Sequence, residues 1–132
     1  MSSKHFTSFL LTAILITSCA RSVYSSDGES IYKSGKTLAG KNLFDRQKSR
    51  IMLFKSCLGC HGPSGKRVSD CNIQWSDLSD PAKIEVPYTK ELFFRFIDED
   101  LKSDGSKAQT GVHWQMSDDE KSAVIDYLKS LK

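Results

Sequence analysis

Five consecutive residues, CLGCH at positions 57–61, constrain this chain more than any other stretch. The sequence holds four cysteines and three histidines, and two of the first and one of the second fall inside that pentapeptide. Residues three apart on a helix share a face, so Cys57 and Cys60 are expected on one helical turn, with His61 pointing back beside them. Several chemistries use C-x-x-C. In covalent haem attachment each thiol adds to a vinyl group of the porphyrin, and the adjacent histidine is held under the iron as an axial ligand. A structural zinc site would use Cys57, Cys60 and Cys71 with His61 or His113, since three cysteines and a histidine are an accepted ligand set. Against zinc, His61 abuts Cys60, a poor spacing for gripping one ion from the same turn, and the chain has no second C-x-x-C pair. A thioredoxin-like redox dithiol needs a βαβ context that is absent, and a plain disulfide is the least specific reading. The added histidine makes haem the best match.

The rest of the chain limits what can surround the motif. With 132 residues, 39% of them hydrophobic and 27% charged, it suits one small domain and is too short for two. The formal charge of +3 falls to +2 once Lys4 is removed with the first eighteen residues. That surplus is too mild to argue for nucleic acid or for strong membrane-surface binding.

The N-terminus, MSSKHFTSFLLTAILITSCARS, carries a basic start, an apolar run from Phe6 to Ile16 and then small residues. This is the pattern of an export signal, and the run is too short to span a bilayer. We expect a signal peptide over residues 1–25 and a folded domain over 26–132, working outside the cytoplasm in the periplasm or beyond. ITSC at 16–19 also matches, incompletely, a lipoprotein signal cleaved before Cys19. A lipidated Cys19 would tether the domain to a membrane through the Ser-rich stretch SVYSSDGES, which reads as a linker. Ordinary cleavage after Ala20 or Ser25 is the other reading.

From Glu29 onward the pattern is helices joined by loops, without repeats and without the period-two alternation of strands. LFDRQKSRIMLFKSCLGCH spaces Leu43, Phe44, Ile51, Leu53, Phe54 and Leu58 as an amphipathic helix running into the cysteines. GPSGKRVSDCNIQWSDLSDP reads as a long loop with a helical turn at Asp77 to Ser79. YTKELFFRFIDEDL has Thr89 as N-cap and an apolar stripe of Leu92, Phe93, Phe96 and Ile97; KSDGSKAQTG follows as loop. SDDEKSAVIDYLKSLK opens with a Ser117–Glu120 capping box and carries Val124, Ile125, Leu128 and Leu131 on one face. The expected class is all-α, three to five helices with loops long enough to need a large buried group to order them.

CLGCHGPSG, the internal helix ELFFRFIDEDL and the final W-x-M-S-D-D-E-x-x-A-V-I-D-Y-L-K-S-L together resemble the monohaem, class I type cytochromes c of bacteria. The upstream GESIYKSGKTLAGKNLF is similar to the N-terminal region of some exported members, so the resemblance covers residues 28–132. It implies a small cytochrome c-like fold around one covalently bound haem c, with the first and last helices crossing and the haem in a cleft. It implies Cys57 and Cys60 as the thioether anchors and His61 as the proximal iron ligand. In the family the second nitrogen of that imidazole donates to a backbone carbonyl, often of a proline in the following loop. Here the comparable stretch SDCNIQWSDL holds no proline before Pro81, which leaves the carbonyl unnamed.

Related sequences often carry Met-Pro three residues before the aromatic that precedes the last helix, and that methionine binds iron. Counting back from Trp114 reaches Gly111 and Val112 instead. Three alternatives stand for the sixth position: Met116, whose other role is packing beside the helix cap; His113, whose other role is a surface residue; and an open site. Met116 is the expected metal ligand opposite His61. The resemblance implies an electron carrier rather than an enzyme, free or as the cytochrome subunit of an oxidoreductase, with redox proteins as partners. An open site would instead suit a protein that binds or senses a diatomic gas. Trp75 and Trp114 are expected to pack the core or haem pocket, Tyr127 and Leu128 to pack on the first helix, and Cys71 to be a buried thiol or to pair between molecules. Lys66 and Arg67 read as loop charges that could help dock an acidic partner, and DEDLKSD as a solvated face.

Overall fold

The computed structural model describes residues 23–51, 53–68 and 71–132. The expected signal peptide and the Cys19 tether lie outside them. Five helices form among the described residues: α1 (Asp27–Ser34), α2 (Cys57–His61), α3 (Trp75–Leu78), α4 (Lys90–Glu99) and α5 (Asp118–Ser130). Among the described residues there are only isolated β-bridges, at Lys36–Asn42, Phe44–Trp114 and Leu101–Lys107. No helix of the described residues is long and apolar enough to cross a membrane.

Local sequence explains each boundary. Ser26 caps α1 by accepting from Glu29 N, Asp27 and Glu29 stand in the first turn where they suit the helix dipole, and Gly35 ends it at φ 71°. The stretch expected to be a linker therefore runs directly into a helix, because Ser26 supplies the cap and the alternation beyond it buries Ile31 and Tyr32. Thr89 caps α4 by accepting from Leu92 N, and Asp100, at φ 56°, closes it. Ser117 and Glu120 form the reciprocal capping box of α5.

α1 crosses α5, and the contact is close at one residue. A methyl group on Gly28 would fall 2.0 Å from the Ala123 carbonyl oxygen, so the crossing distance requires glycine there. One turn on, the rings of Tyr32 and Tyr127 stack tilted, 5.1 Å between centroids. Ile31, Leu43, Val124, Ile125 and Leu128 fill the buried centre around them. On the outer side of this core Lys121 is buried among Asp98 (2.6 Å), Asp118 (3.1 Å) and the Phe94 ring (5.0 Å to its centroid). Burial disfavours its charge, but the hydrogen bonds it donates to Asp98 and Asp118 prevail and hold its pKa above the usual lysine range.

The helix expected across residues 43–61 is confined to Cys57–His61. Upstream, the backbone donors an α-helix would need are spent elsewhere: Leu43 N on Gly35 O, Asp45 N on His113 O, and Arg50 N and Ile51 N on Gly111 O. Asp45 Oδ1 also accepts from Gln47 N and Lys48 N, tightening the chain into a turn. The apolar spacing that suggested a helix has no core to face, since Ile51, Leu53 and Phe54 are 40%, 81% and 41% exposed. The helical turn expected at Asp77 to Ser79 forms two residues earlier, as α3.

Candidate haem site

α2 is one turn of helix, and its ends are held from outside because five residues cannot sustain a helix alone. The Tyr32 hydroxyl, buried, donates to Gly62 O at 2.6 Å, tying α1 to the turn after His61. Burial pushes that phenol above the ordinary tyrosine range. Arg67 N donates to His61 O at 3.0 Å, and Arg67 Nη1 to Gly59 O at 2.8 Å, so one loop residue grips the middle and the C-terminal end of the motif. Gly62 makes the exit possible at φ 72°, where a methyl group would meet Arg67 Cβ at 3.0 Å. Buried Gln74 donates through Nε2 to Ser64 O, and Ile73 N donates to Gly65 O, which fastens the following loop back on the motif.

Cys57, Cys60 and His61 all line one cavity of about 880 Å³. Tyr32 forms part of its wall from α1, Phe93, Phe96 and Ile97 from α4, and Val124 and Leu128 from α5. Loops add Phe54, Ile84, Val86, Val112, Trp114 and Met116. The lining is dominated by aliphatic and aromatic side chains, the setting in which a large flat apolar group is desolvated.

The titratable groups fit that use. Burial pushes the Cys57 thiol up to about 12, so it is held as a neutral thiol rather than as a reactive thiolate. Cys57, Cys60 and Cys71 are unpaired thiols, and among the described residues no group of three or more His, Cys, Asp or Glu is placed to hold a metal ion. Burial lowers the pKa of His61, keeping the imidazole neutral as an iron ligand must be, and the Cys71 backbone acts in the opposite direction. His61 Nδ1 is buried and makes no hydrogen bond, a polar atom left for adjustment when the ring is fixed from its other side. Two thiols and an imidazole on the wall of one apolar cavity fit a covalently attached haem.

The two candidates for the opposite side separate. Met116 lines the cavity; His113 does not. The His113 backbone is instead tied to the 45–49 turn, its N–H donating to Ser49 Oγ at 2.9 Å and its carbonyl accepting from Asp45 N at 2.9 Å. Gly111 stands at the position where related sequences often carry methionine, and its neighbour Val112, at the proline position, faces the cavity. Trp114 lines the cavity and meets Phe44 edge-on at 5.8 Å, whereas Trp75 packs on Phe93 at 5.9 Å. Cys71, expected to be buried, is exposed at the cavity wall, because the loop carrying it passes over His61 rather than through the core. Tyr88, Lys102 and Ser103 are cavity residues that the sequence reading missed; they lie on loops whose spacing carries no periodic signal.

The family model for cytochrome c matches residues 33–132. Neither the curated proteins nor the solved structures include a significant match to the chain. The matched span contains the C-x-x-C-H turn, the cavity lining other than Tyr32, and the capped helices α4 and α5, and the chain belongs to the cytochrome c family, whose domain binds haem c covalently and transfers electrons.

Proposed function

We propose that this protein is a monohaem c-type electron carrier that works outside the cytoplasmic membrane, exported by its N-terminal signal and, with Cys19 lipidated, tethered to the membrane. The observation that carries this reading is the convergence of Cys57, Cys60 and His61 on the wall of one apolar cavity. Cys57 and Cys60 would hold the porphyrin through thioether bonds, with His61 and Met116 as axial ligands. Haem supplies the one-electron couple between ferric and ferrous iron.

The chain's own residues do the rest. α2 and its Arg67 and Tyr32 braces hold the thiols and imidazole in register. The Phe93, Phe96, Ile97 and Leu128 side chains exclude water, which favours the form of lower net charge. No side chain has to take up or release a substrate proton.

Gly111, standing where related sequences often carry the ligating methionine, supports a second reading, a labile sixth site that admits a diatomic gas. Optical spectra of the exported protein, oxidised and reduced, with and without carbon monoxide, separate the two. A reduced c-type spectrum unmoved by the gas, becoming gas-sensitive in Met116→Ala but not in His113→Ala, is the outcome expected of the carrier. A parent spectrum that shifts with carbon monoxide would overturn it in favour of the gas-binding reading.

A further inference from the structure

Two polar side chains between α1 and α2 are buried without lining the haem cavity: Asp45 is 7% exposed and Ser49 9%. A buried carboxylate is costly unless its oxygens are satisfied, so its partners show what it is for. Asp45 Oδ1 accepts from Gln47 N at 2.9 Å and from Lys48 N at 3.2 Å, which closes the turn on itself. Asp45 Oδ2 accepts from Gln115 Nε2 at 2.9 Å, a bond to a residue seventy positions away.

That bond belongs to a set that fastens residues 113–115. Asp45 N donates to His113 O at 2.9 Å, His113 N donates to Ser49 Oγ at 2.9 Å, and Gln115 N donates to Leu43 O at 2.8 Å. Phe44 and Trp114 form the antiparallel bridge between the two segments. Met116 is the next residue, and it lines the cavity. On its other side Ser117 caps α5 in a box with Glu120, and Glu120 pairs with Lys41 at 2.9 Å. Met116 is therefore the one residue between two fastenings, and both run to residues 41–49.

A thioether is a neutral ligand, and confinement of the chain that carries it is what keeps it on a metal in water: the effective concentration of a tethered group falls as the tether loosens. Groups that orient a ligand without touching the metal commonly change affinity by about ten- to a hundredfold. We infer that Asp45 is a positioning residue for the sixth iron ligand: by binding Gln115 its carboxylate fixes the segment that presents Met116, and loss of this bond opens the sixth position to outside ligands. The inference rests on the reading of Met116 as an axial ligand. It accounts for a carboxylate buried where an apolar side chain would fill the same space but offer Gln115 nothing to bind.

The test titrates imidazole, a ligand for ferric haem, into the haem-loaded protein and follows the optical spectrum. Asp45→Ala should tighten imidazole binding about tenfold or more, and so should Gln115→Leu, which leaves the turn's own bonds intact. Without imidazole, the reduction potential of both should fall towards that of Met116→Ala, because a methionine ligand raises it. Asp45→Asn/Gln115→Glu exchanges donor and acceptor across the bond at unchanged net charge and should restore the parent's affinity to within about twofold. Ile125→Ala cuts the core away from the cavity lining. It should lower the melting temperature yet leave imidazole affinity within about twofold of the parent.

Parent-like affinity in Gln115→Leu, or equal tightening by Asp45→Ala and Ile125→Ala, would overturn the inference. Met116→Ala separates its failure from that of the axial-ligand reading. That variant should bind imidazole tightly, with no further gain when Asp45→Ala is added. If Met116→Ala keeps the parent's affinity, the Met116 reading fails and this inference with it. If Met116→Ala binds tightly while Asp45→Ala and Gln115→Leu do not, only the positioning role of Asp45 is lost.

Discussion

The α1–α5 crossing and the wall of the haem cavity are built from the same kinds of residue and held in opposite ways. At the crossing, Ile31, Tyr32, Val124 and Leu128 bury one another, and Gly28 lets the two backbones meet. At the wall, Phe54, Ile84, Tyr88, Phe96 and Met116 turn apolar surface towards a cavity of about 880 Å³ and have few protein neighbours on that side. A void of that size forfeits dispersion contacts and leaves apolar surface to water. The crossing supplies its own partners, while the wall depends on covalently bound haem for them.

The strongest way to break this contrast is to remove the attachment. Cys57→Ala/Cys60→Ala should abolish covalent haem, read as loss of haem staining after denaturing electrophoresis. The haem-free chain should then lose its cooperative thermal transition, since the wall loses its partner. A cooperative transition within a few degrees of the parent would show that the wall packs by itself.

The crossing predicts the next largest effect. Leu128→Ala removes a buried side chain shared between the two regions and should cost about 2–5 kcal/mol by urea unfolding, with haem still attached. A smaller effect is expected where the regions are joined: Tyr32→Phe leaves Gly62 O without its buried donor and should cost about 1–3 kcal/mol. The same variant should broaden the haem spectrum if the bond also positions the motif.

The smallest effect lies at the outer end of α1. Hydrogen bonds from Lys33 and Ser25 draw the Glu29 carboxyl from 4.5 down to about 2. A depressed carboxylate pKa contributes stability that is present above 4.5 and lost as pH falls from there towards 2. Glu29→Gln should flatten that part of the stability profile, and salt should weaken the difference because the group is exposed. A parent and variant with parallel profiles between pH 5 and 2 would show that the pair contributes nothing, a result that would sharpen the view that α1 is held by its buried face.

Much of the fold was legible because its signals are local. The caps at Thr89 and Ser117 act within one turn, so four residues suffice to announce them. The 3.6-residue spacing of Phe93 and Ile97, and of Val124, Ile125 and Leu128, matches faces that are buried. The same spacing misled over residues 43–56, where Leu43 and Phe44 are buried but Ile51, Leu53 and Phe54 are not. Periodicity records which side chains would share a helix face; it does not record whether a core exists for that face. α1 was overlooked for a related reason, its Ser-rich start being read as a linker although Ser26 is its cap.

By itself the sequence determined the cytochrome c family, the all-α class and the haem-attachment signature, because attachment chemistry is written in five adjacent residues and helix caps in four. The tertiary structure alone decided that the helix at that signature is confined to its five residues, and that Met116 rather than His113 lines the cavity. Both depend on where residues 111–116 pair with residues 43–51, contacts between segments some sixty residues apart in sequence. Long-range pairing is settled by competition among backbone donors for the whole chain's acceptors, and no local stretch carries its outcome.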